Sequence, residues 1–526
     1  MIISKDIWNV STGVEIVRNG NDVTLILAGS ASGYYDEYLG YWEWYGWMEA
    51  QFGEAYDWVE QYYDRPMDMS LTETLTAGVA TTGYYYVDGS PAENTEFSAI
   101  IFDTAAIYGG TSGIDFVFGS GAADRLSGAA GNDGLDGGAG DDWLNGGVGG
   151  DHLEGGEGLD TASYAGATAG VVARLYNSAL GSGDAAGDRY VSIERLEGSS
   201  HSDHLYGDDK ANTLWGRDGA DTLFGRAGND LLLGGKGADL LFGDAGIDTA
   251  SYADSSSGVV ANLSTGLGTA GDALGDEYNG IEGLIGSNFV DELTGNGTGN
   301  ILRGLNSNDS LRGLAGDDRL IGGNGDDLLI GGIGADWLDG GLGTDTASYA
   351  SAGAGVVANL ADPSQNTREA LGDTYVSIEN LRGSAFNDRL TGNAQENAIN
   401  GGDGNDTING GGASDRLSGG NGKDAFVFDS GLDGLNNVDI ILDYTVADDR
   451  ILLDADIFAA FPATGRIANA AFTTGTEATT AAHRIIYNDA NGMILYDADG
   501  AGGADAIAFA RVSAGLAMSG AEFIVI

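Results

Sequence analysis

Gly137-Gly138-Ala139-Gly140-Asp141-Asp142-Trp143-Leu144-Asn145 leads directly into Gly146 and a second unit of the same pattern, carrying Asp151 and Leu153. Both read G-G-x-G-x-D-x-U-x, where U is a large apolar residue, and the spacing sets a nine-residue clock. Followed in both directions, the clock runs through four blocks. The first opens at Gly110 and holds Asp115, Asp124, Asp133, Asp142, Asp151 and Asp160 at its sixth positions. The second opens at Gly198 with Asp203, Asn212, Asp221, Asp230, Asp239 and Asp248. The third opens at Gly286 with Asp291, Asn300, Asp309, Asp318, Asp327, Asp336 and Asp345. The fourth opens at Gly383 with Asp388, Asn397, Asp406, Asp415 and Asp424. Of these 24 units, 21 carry Asp and three carry Asn, a phase that chance does not hold.

The physics of the unit follows from its residue types. Glycine admits the φ > 0 backbone of a tight ligand-binding turn. Turn carbonyls and a carboxylate are hard oxygen donors, the set that calcium takes. The candidate carbonyls lie near Gly138, Gly140, Gly147, Gly149, Gly235, Gly237, Gly323, Gly325, Gly332, Gly334, Gly402, Gly404, Gly420 and Gly422. At about one ion per turn, roughly 20 calcium ions are expected. The x-U-x segment predicts a strand of about two or three residues with its apolar side chain inward. Turn, strand, turn, strand makes an 18-residue coil, and coils stack as parallel strands because only neighbours can cover the apolar residues. Leu126, Leu135, Leu144 and Leu153 belong to that core, with Leu214, Leu223, Leu232 and Leu241. A glycine-rich acidic linker would not keep an apolar residue two places after each Asp. An acidic residue here can instead cap its turn by accepting backbone N–H groups, a reading open for the first two units and the three Asn units. As a ligand, uncharged Asn binds calcium more weakly than Asp.

A longer cassette recurs between blocks. It starts at Asp160-Thr161-Ala162-Ser163-Tyr164-Ala165, at Asp248 to Ala253 and at Asp345 to Ala350. Each copy holds an apolar strand, Val171-Val172-Ala173, Val259-Val260-Ala261 or Val356-Val357-Ala358. Each closes on Ile193-Glu194-Arg195-Leu196, Ile281-Glu282-Gly283-Leu284 or Ile378-Glu379-Asn380-Leu381. Tyr164 and Tyr252 are 88 residues apart and Tyr252 and Tyr349 are 97 apart, the extra nine lying in the third block. Length that changes by a whole unit marks the cassettes as integrated coils. The extra half coil should send the third cassette off the opposite side of the roll. The cassette tyrosines read as plugs of a wider coil more readily than as ligand-stacking rings.

The expected fold class is mainly β: a parallel β-roll of solenoid type, a small mixed α/β domain ahead of it and a β-rich cap behind. The roll spans 110–428, in blocks 110–163, 198–251, 286–348 and 383–428 joined by cassettes 160–197, 248–285 and 345–382. An aromatic-rich domain fills 1–109, and the cap fills 429–526. Composition agrees: 91 glycines but 4 prolines, no cysteine, and a formal charge of -56 that repels itself unless cations neutralise it. Nucleic acid is excluded as a partner, and an anionic membrane surface nearly so. Without cysteine there are no disulfides and no thiolate zinc sites. No apolar stretch approaches the roughly 18 residues of a membrane helix. The opening residues lack a basic segment followed by an apolar run, so no cleaved secretory leader is expected.

Residues 1–109 follow no repeat. Val14 to Leu27 predicts strands about an Asn19-Gly20-Asn21-Asp22 turn, and Thr76–Val87 and Phe97–Tyr108 predict more. Between them three of the eight tryptophans fall from Trp42 to Trp47, among Tyr34, Tyr35, Tyr38, Tyr41 and Tyr45. From Trp47 to Tyr63, apolar residues at near-helical spacing predict a helix of roughly four or five turns. Three uses fit the aromatics: the core of a domain capping the first coil, a self-assembly surface, or a platform for sugars. No catalytic residues are assigned and no enzyme is expected, because neither H-E-x-x-H nor a G-x-S-x-G elbow is present. Glu43 or Glu49 beside the aromatics is the faint glycosidase alternative. Of the histidines, His152, His201 and His204 occupy variable repeat positions expected to face solvent, and His483 lies beyond the repeats.

Gly322-Gly323-Asn324-Gly325-Asp326-Asp327-Leu328-Leu329-Ile330 and Gly401-Gly402-Asp403-Gly404-Asn405-Asp406-Thr407-Ile408-Asn409 show the unit almost whole. On them the sequence resembles, over residues 110–526, the RTX (repeats-in-toxin) family exported by type I secretion. The resemblance implies calcium held by the sixth-position Asp and turn carbonyls of a parallel β-roll. It also implies passage through the type I machinery of a Gram-negative bacterium, an uncleaved C-terminal signal, and an extracellular or cell-surface location. The C-terminal stretches Asp424–Phe428, Asp439–Tyr444, Asp449–Leu453, Ile486–Asn488, Gly492–Gly500 and Phe523–Ile526 also look like the family and predict short strands. The uniting expectation is an extracellular, calcium-dependent structural protein that assembles with other copies of itself into a surface layer, filament or matrix. A calcium-dependent adhesin binding cell-surface polysaccharide, and a polysaccharide-modifying enzyme, are the alternatives.

Overall fold

The computed structural model describes residues 108–177 and 180–526 in full. Ahead of them it gives the backbone of the strands Val14–Asn19, Asp22–Leu27, Tyr35–Asp36, Tyr41–Trp42, Ser70–Leu71, Thr81–Tyr86, Asn94–Ile101 and Ile107–Gly109. Val14–Asn19 and Asp22–Leu27 pair antiparallel, with Asn19 opposite Asp22, as the turn signal requires. The helix expected between Trp47 and Tyr63 lies outside the described residues.

Each nine-residue unit contributes one strand, and its apolar residue turns inward. Strands 18 residues apart pair in parallel, so Leu126 lies beside Leu144, Leu214 beside Leu232, and Leu302 beside Leu320 and then Leu338. All of these leucines are buried. Each contributes about 1.5–3 kcal/mol of apolar burial, which only the neighbouring coils make available. The strands are longer than expected wherever pairing resumes past the first glycine. Thr213–Asp218 and Leu231–Lys236 run six residues, with Arg217 opposite Gly235 and Asp218 opposite Lys236. The turn is therefore as much sheet as loop, because its second and third residues also find partners in the next coil.

The chain divides into two compact units, Met1–Ala250 with Asp276–Ile281, and Ser251–Gly275 with Glu282–Ile526. In the first, one face stacks strands 125–127, 143–145, 161–163, 195–197, 213–218 and 231–236, ending on Thr249 and Ala250. The facing sheet runs 94–101, 114–118, 134–139, 152–157 and 189–191, so N-terminal strand 94–101 is its continuation. From the first cassette onward, 172–174, 204–206, 222–227, 240–245 and 277–279 take over.

In the second unit, 283–285, 301–306, 319–324, 337–342 and 374–376 form one face. The other holds 292–294, 310–315, 328–333, 346–348, 380–382, 398–403 and 416–421. The third cassette's leading strand, 346–348, is thus on the opposite face from the closing strand of the second, 283–285. In the first unit, the closing strand of the first cassette and Thr249-Ala250 share a face. Six turns bring the chain back to the same side and seven do not, as the extra nine residues demand. Towards the C-terminus, Phe523–Val525 pairs parallel with Ile451–Leu453 and antiparallel with Gly465–Arg466. Phe458 stands edge-on to Tyr496 and Phe509 at 5.0 and 5.1 Å.

The cassette plugs are buried: Tyr164, Tyr252 and Tyr349 are each 3% exposed or less. One solvent assignment fails. His152 is buried, between Gly134 and Arg189 on the flanking strands, with Nε2 3.8 Å from Glu154 Oε2. Its position is variable in sequence, but here the neighbouring cassette strand covers it. His201 and His204 are exposed.

Candidate metal centre

All 21 Asp and three Asn sixth-position residues are buried along the turn edges. Coil stacking builds them into ladders. Within a block the backbone N–H donates to Oδ1 of the residue 18 places on: Asp124 to Asp142 at 2.7 Å, Asp221 to Asp239 at 2.8 Å, Asp309 to Asp327 at 2.7 Å and Asp388 to Asp406 at 2.8 Å. One carboxylate oxygen is thereby used.

The other is not. Oδ2 of Asp133, Asp142, Asp151, Asp160, Asp221, Asp230, Asp309, Asp318, Asp327, Asp336, Asp345, Asp406 and Asp415 is buried without a hydrogen-bond partner. Each faces the first glycine of its own turn. A Cβ on Gly322 would overlap Asp327 Oδ2 and lie 2.7 Å from the Gly340 carbonyl oxygen of the next coil. The same pair of oxygens brackets Gly304, where the carbonyl is that of Gly322 at 2.7 Å, and Gly313, where it is that of Gly331 at 2.6 Å. Glycine is needed because side-chain space there is filled by oxygen. Among the predicted carbonyl glycines, all but Gly237 have φ from +91° to +157°.

Leaving an ionised carboxylate oxygen buried and unpaired costs several kcal/mol, and here it recurs turn after turn beside carbonyl oxygens. A cation fits that arrangement. Among the described residues no three His, Cys, Asp or Glu side chains converge, so backbone carbonyls must complete the donor set. One carboxylate with several carbonyls suits calcium, whereas zinc takes nitrogen and sulfur. Without a metal, burial favours the protonated form of these acids. Burial, with help from neighbouring carboxylates and against the N–H bond, pushes Asp133, Asp221 and Asp309 up to about 8. The same causes push Asp142, Asp318 and Asp406 to about 7.

The ladders also recruit carboxylates that the nine-residue count passes over. Asp151 N–H donates to Asp188 Oδ1 at 2.9 Å and Asp336 N–H to Asp373 Oδ1 at 3.0 Å. Glu194 and Glu379 serve Asp160 and Asp345 at 3.1 and 2.9 Å. After the last block, Asp439 and Asp449 serve Asp415 and Asp424 at 3.1 and 3.0 Å. In the cassettes the second oxygen is satisfied by phenol: Tyr164 donates to Asp188 at 2.6 Å and Tyr349 to Asp373 at 2.7 Å. Tyr190 and Tyr375 hydroxyls bond those of Tyr164 and Tyr349 in turn. A signal for this was available, because Gly187-Asp188-Arg189-Tyr190, Gly275-Asp276-Glu277-Tyr278 and Gly372-Asp373-Thr374-Tyr375 share G-D-x-Y.

Comparison with curated proteins gives no match. The pattern of the RTX calcium-binding nonapeptide repeat matches residues 109–144, 135–162, 197–232, 217–250, 294–329, 312–347, 377–408 and 400–435. These stretches are the stacked coils that carry the acid ladders. Over them, the chain carries the RTX calcium-binding nonapeptide repeat.

Proposed function

We propose that this is an extracellular structural protein whose roll folds when calcium fills its acid turns, and whose folded copies assemble into a surface layer, filament or matrix. The observation that carries the first half is the recurrent buried Asp Oδ2 left without a donor beside the carbonyl oxygen of the next coil. The ligands assigned are the turn carbonyls and the sixth-position Asp carboxylates of the turns that leave Oδ2 without a donor. Because the turns exist only in the folded chain, calcium binding is folding free energy. Extracellular calcium modules work at about 0.1–1 mM, so the low-calcium cytoplasm leaves a chain of charge -56 expanded and the exterior folds it. Export through type I machinery from a Gram-negative cell rests on the family alone. No catalytic role is assigned.

Assembly is favoured by large apolar side chains left in solvent at repeated positions. Leu274 and Leu371 occupy equivalent places in the second and third cassettes and are 61% and 62% exposed. Ile333 and Leu342 occupy equivalent places in successive turns. Electron microscopy and light scattering of the full chain test this. Millimolar calcium should produce sheets or filaments that a chelator disperses. A calcium-folded chain that stays monomeric at all concentrations would remove the assembly half and leave the folding half standing.

A further inference from the structure

The 24 turns fall into two classes, divided at the second position. In sixteen that residue has left-handed φ: ten are glycines, and the others are Ala129, Arg217, Arg226, Asp244, Leu305 and Leu314, at +68° to +84°. These six accept a backbone that L-residues rarely adopt. Every sixth-position Asp with an orphaned Oδ2 belongs to this open class.

The remaining eight turns close on themselves. The N–H groups of Ser199, Ser287 and Ser384 donate to Oδ2 of Asp203, Asp291 and Asp388, each at 2.6 Å, and their hydroxyls reach Oδ1 at 2.8–2.9 Å. Thr111 and Ser120 N–H groups do the same for Asp115 at 2.7 Å and Asp124 at 2.6 Å. In the other three, the N–H of Asp208, Asn296 or Asn393 donates to Oδ1 of Asn212, Asn300 or Asn397 at 2.7–2.8 Å. Those asparagines use their amide nitrogens too, on the carbonyls of Glu194, Glu282 and Glu379 at 3.3, 3.1 and 2.8 Å. A carboxylate cannot donate those bonds. All three Asn fall among the eight closed turns and none among the sixteen open ones.

The closed turns are also the first two of every block, one complete coil. Beneath that coil lies a cassette in the later blocks. There the amides of Val171, Val259 and Val356, from cassette strands and not from a glycine turn, bond Oδ1 of Asp203, Asp291 and Asp388. The oxygen-lined turn that a metal would share with the coil below is missing, and the serine lock supplies donors in its place.

We infer that calcium enters only the sixteen open turns, while the leading coil of each block is sealed by its own Ser, Thr, Asp or Asn and takes none. This rests on the calcium-folding reading above. It sets a ceiling of sixteen ions in four arrays of four, four, five and three turns, and it reads Asn212, Asn300 and Asn397 as structural amides and not as weak ligands.

Equilibrium dialysis of the full chain against radioactive calcium at saturation tests it. Sixteen ions or fewer are expected; a count above sixteen overturns the inference while leaving calcium-driven folding intact, and no uptake at all overturns the folding reading itself. The triple variant Asp203→Asn/Asp291→Asn/Asp388→Asn should bind as many ions as the native chain, at a raised calcium midpoint, because an amide can accept only one of the two backbone N–H bonds that each carboxylate takes. A loss of two or more ions from it would contradict the inference. Asp318→Asn/Asp327→Asn/Asp336→Asn should lose about three ions. An unchanged count there would contradict it equally, and if that variant does not fold, the native count and the closed-turn triple still decide.

Discussion

At Gly322, the hydrogen in place of a side chain is what admits Asp327 Oδ2 and the Gly340 carbonyl to the same small volume. Gly322→Ala should therefore destabilise the calcium-saturated chain by about 1–3 kcal/mol in thermal unfolding. Gly297, with open space where its Cβ would stand, is the control, and Gly297→Ala should stay within about 0.5 kcal/mol. Equal effects would mean the first glycine is not shaped by its oxygens. The same oxygens set the response to pH. In the metal-free fold Asp133, Asp221 and Asp309 titrate near 8, against an ordinary 3.8. The folded chain then holds more protons than the unfolded one between these values, and stability falls as pH rises through that window. With a chelator present, circular dichroism should show more β structure at pH 5 than at pH 8. With saturating calcium that order should disappear, because metal replaces the protons. A flat metal-free profile would contradict this.

Elements in this chain are single strands that gain stability only from the strand 18 residues away. Leu320, buried between Leu302 and Leu338, should cost about 2–5 kcal/mol as Leu320→Ala in calcium-saturated denaturant unfolding. Tyr349→Phe should cost about 1–3 kcal/mol in the same measurement, because it strips Asp373 of its buried phenol donor. A neutral Tyr349→Phe would mean that the hydroxyl plays no part in sealing the cassette. The sixth-position Asp and the inward leucines were legible because a period of nine fixes both side-chain directions at once. Asp188 and Asp373 escaped that count since they stand 28 residues after Asp160 and Asp345, an interval with no whole number of turns. The role of the second position was also hidden. Ser199 and Arg217 look like equal departures from glycine, yet one closes its turn and the other keeps it open, and the difference depends on peptide orientation and the coil beneath. His152 departs from its expected exposure for a related reason, because a strand 37 residues away covers it.

For the whole molecule the governing quantity is charge. Sixteen divalent ions would bring 32 positive charges against a formal -56, leaving a folded chain still acidic enough to stay soluble until copies meet. Without them an expanded chain of 526 residues has a radius of gyration of about 80–90 Å. The most direct test is small-angle X-ray scattering of the full chain titrated with calcium from chelator to a few millimolar, read beside its circular dichroism. The account predicts a cooperative contraction to well under that size, with parallel gain of β signal, centred near 0.1–1 mM. A chain already compact and β-rich in chelator, unchanged in both readings as calcium is added, would contradict it.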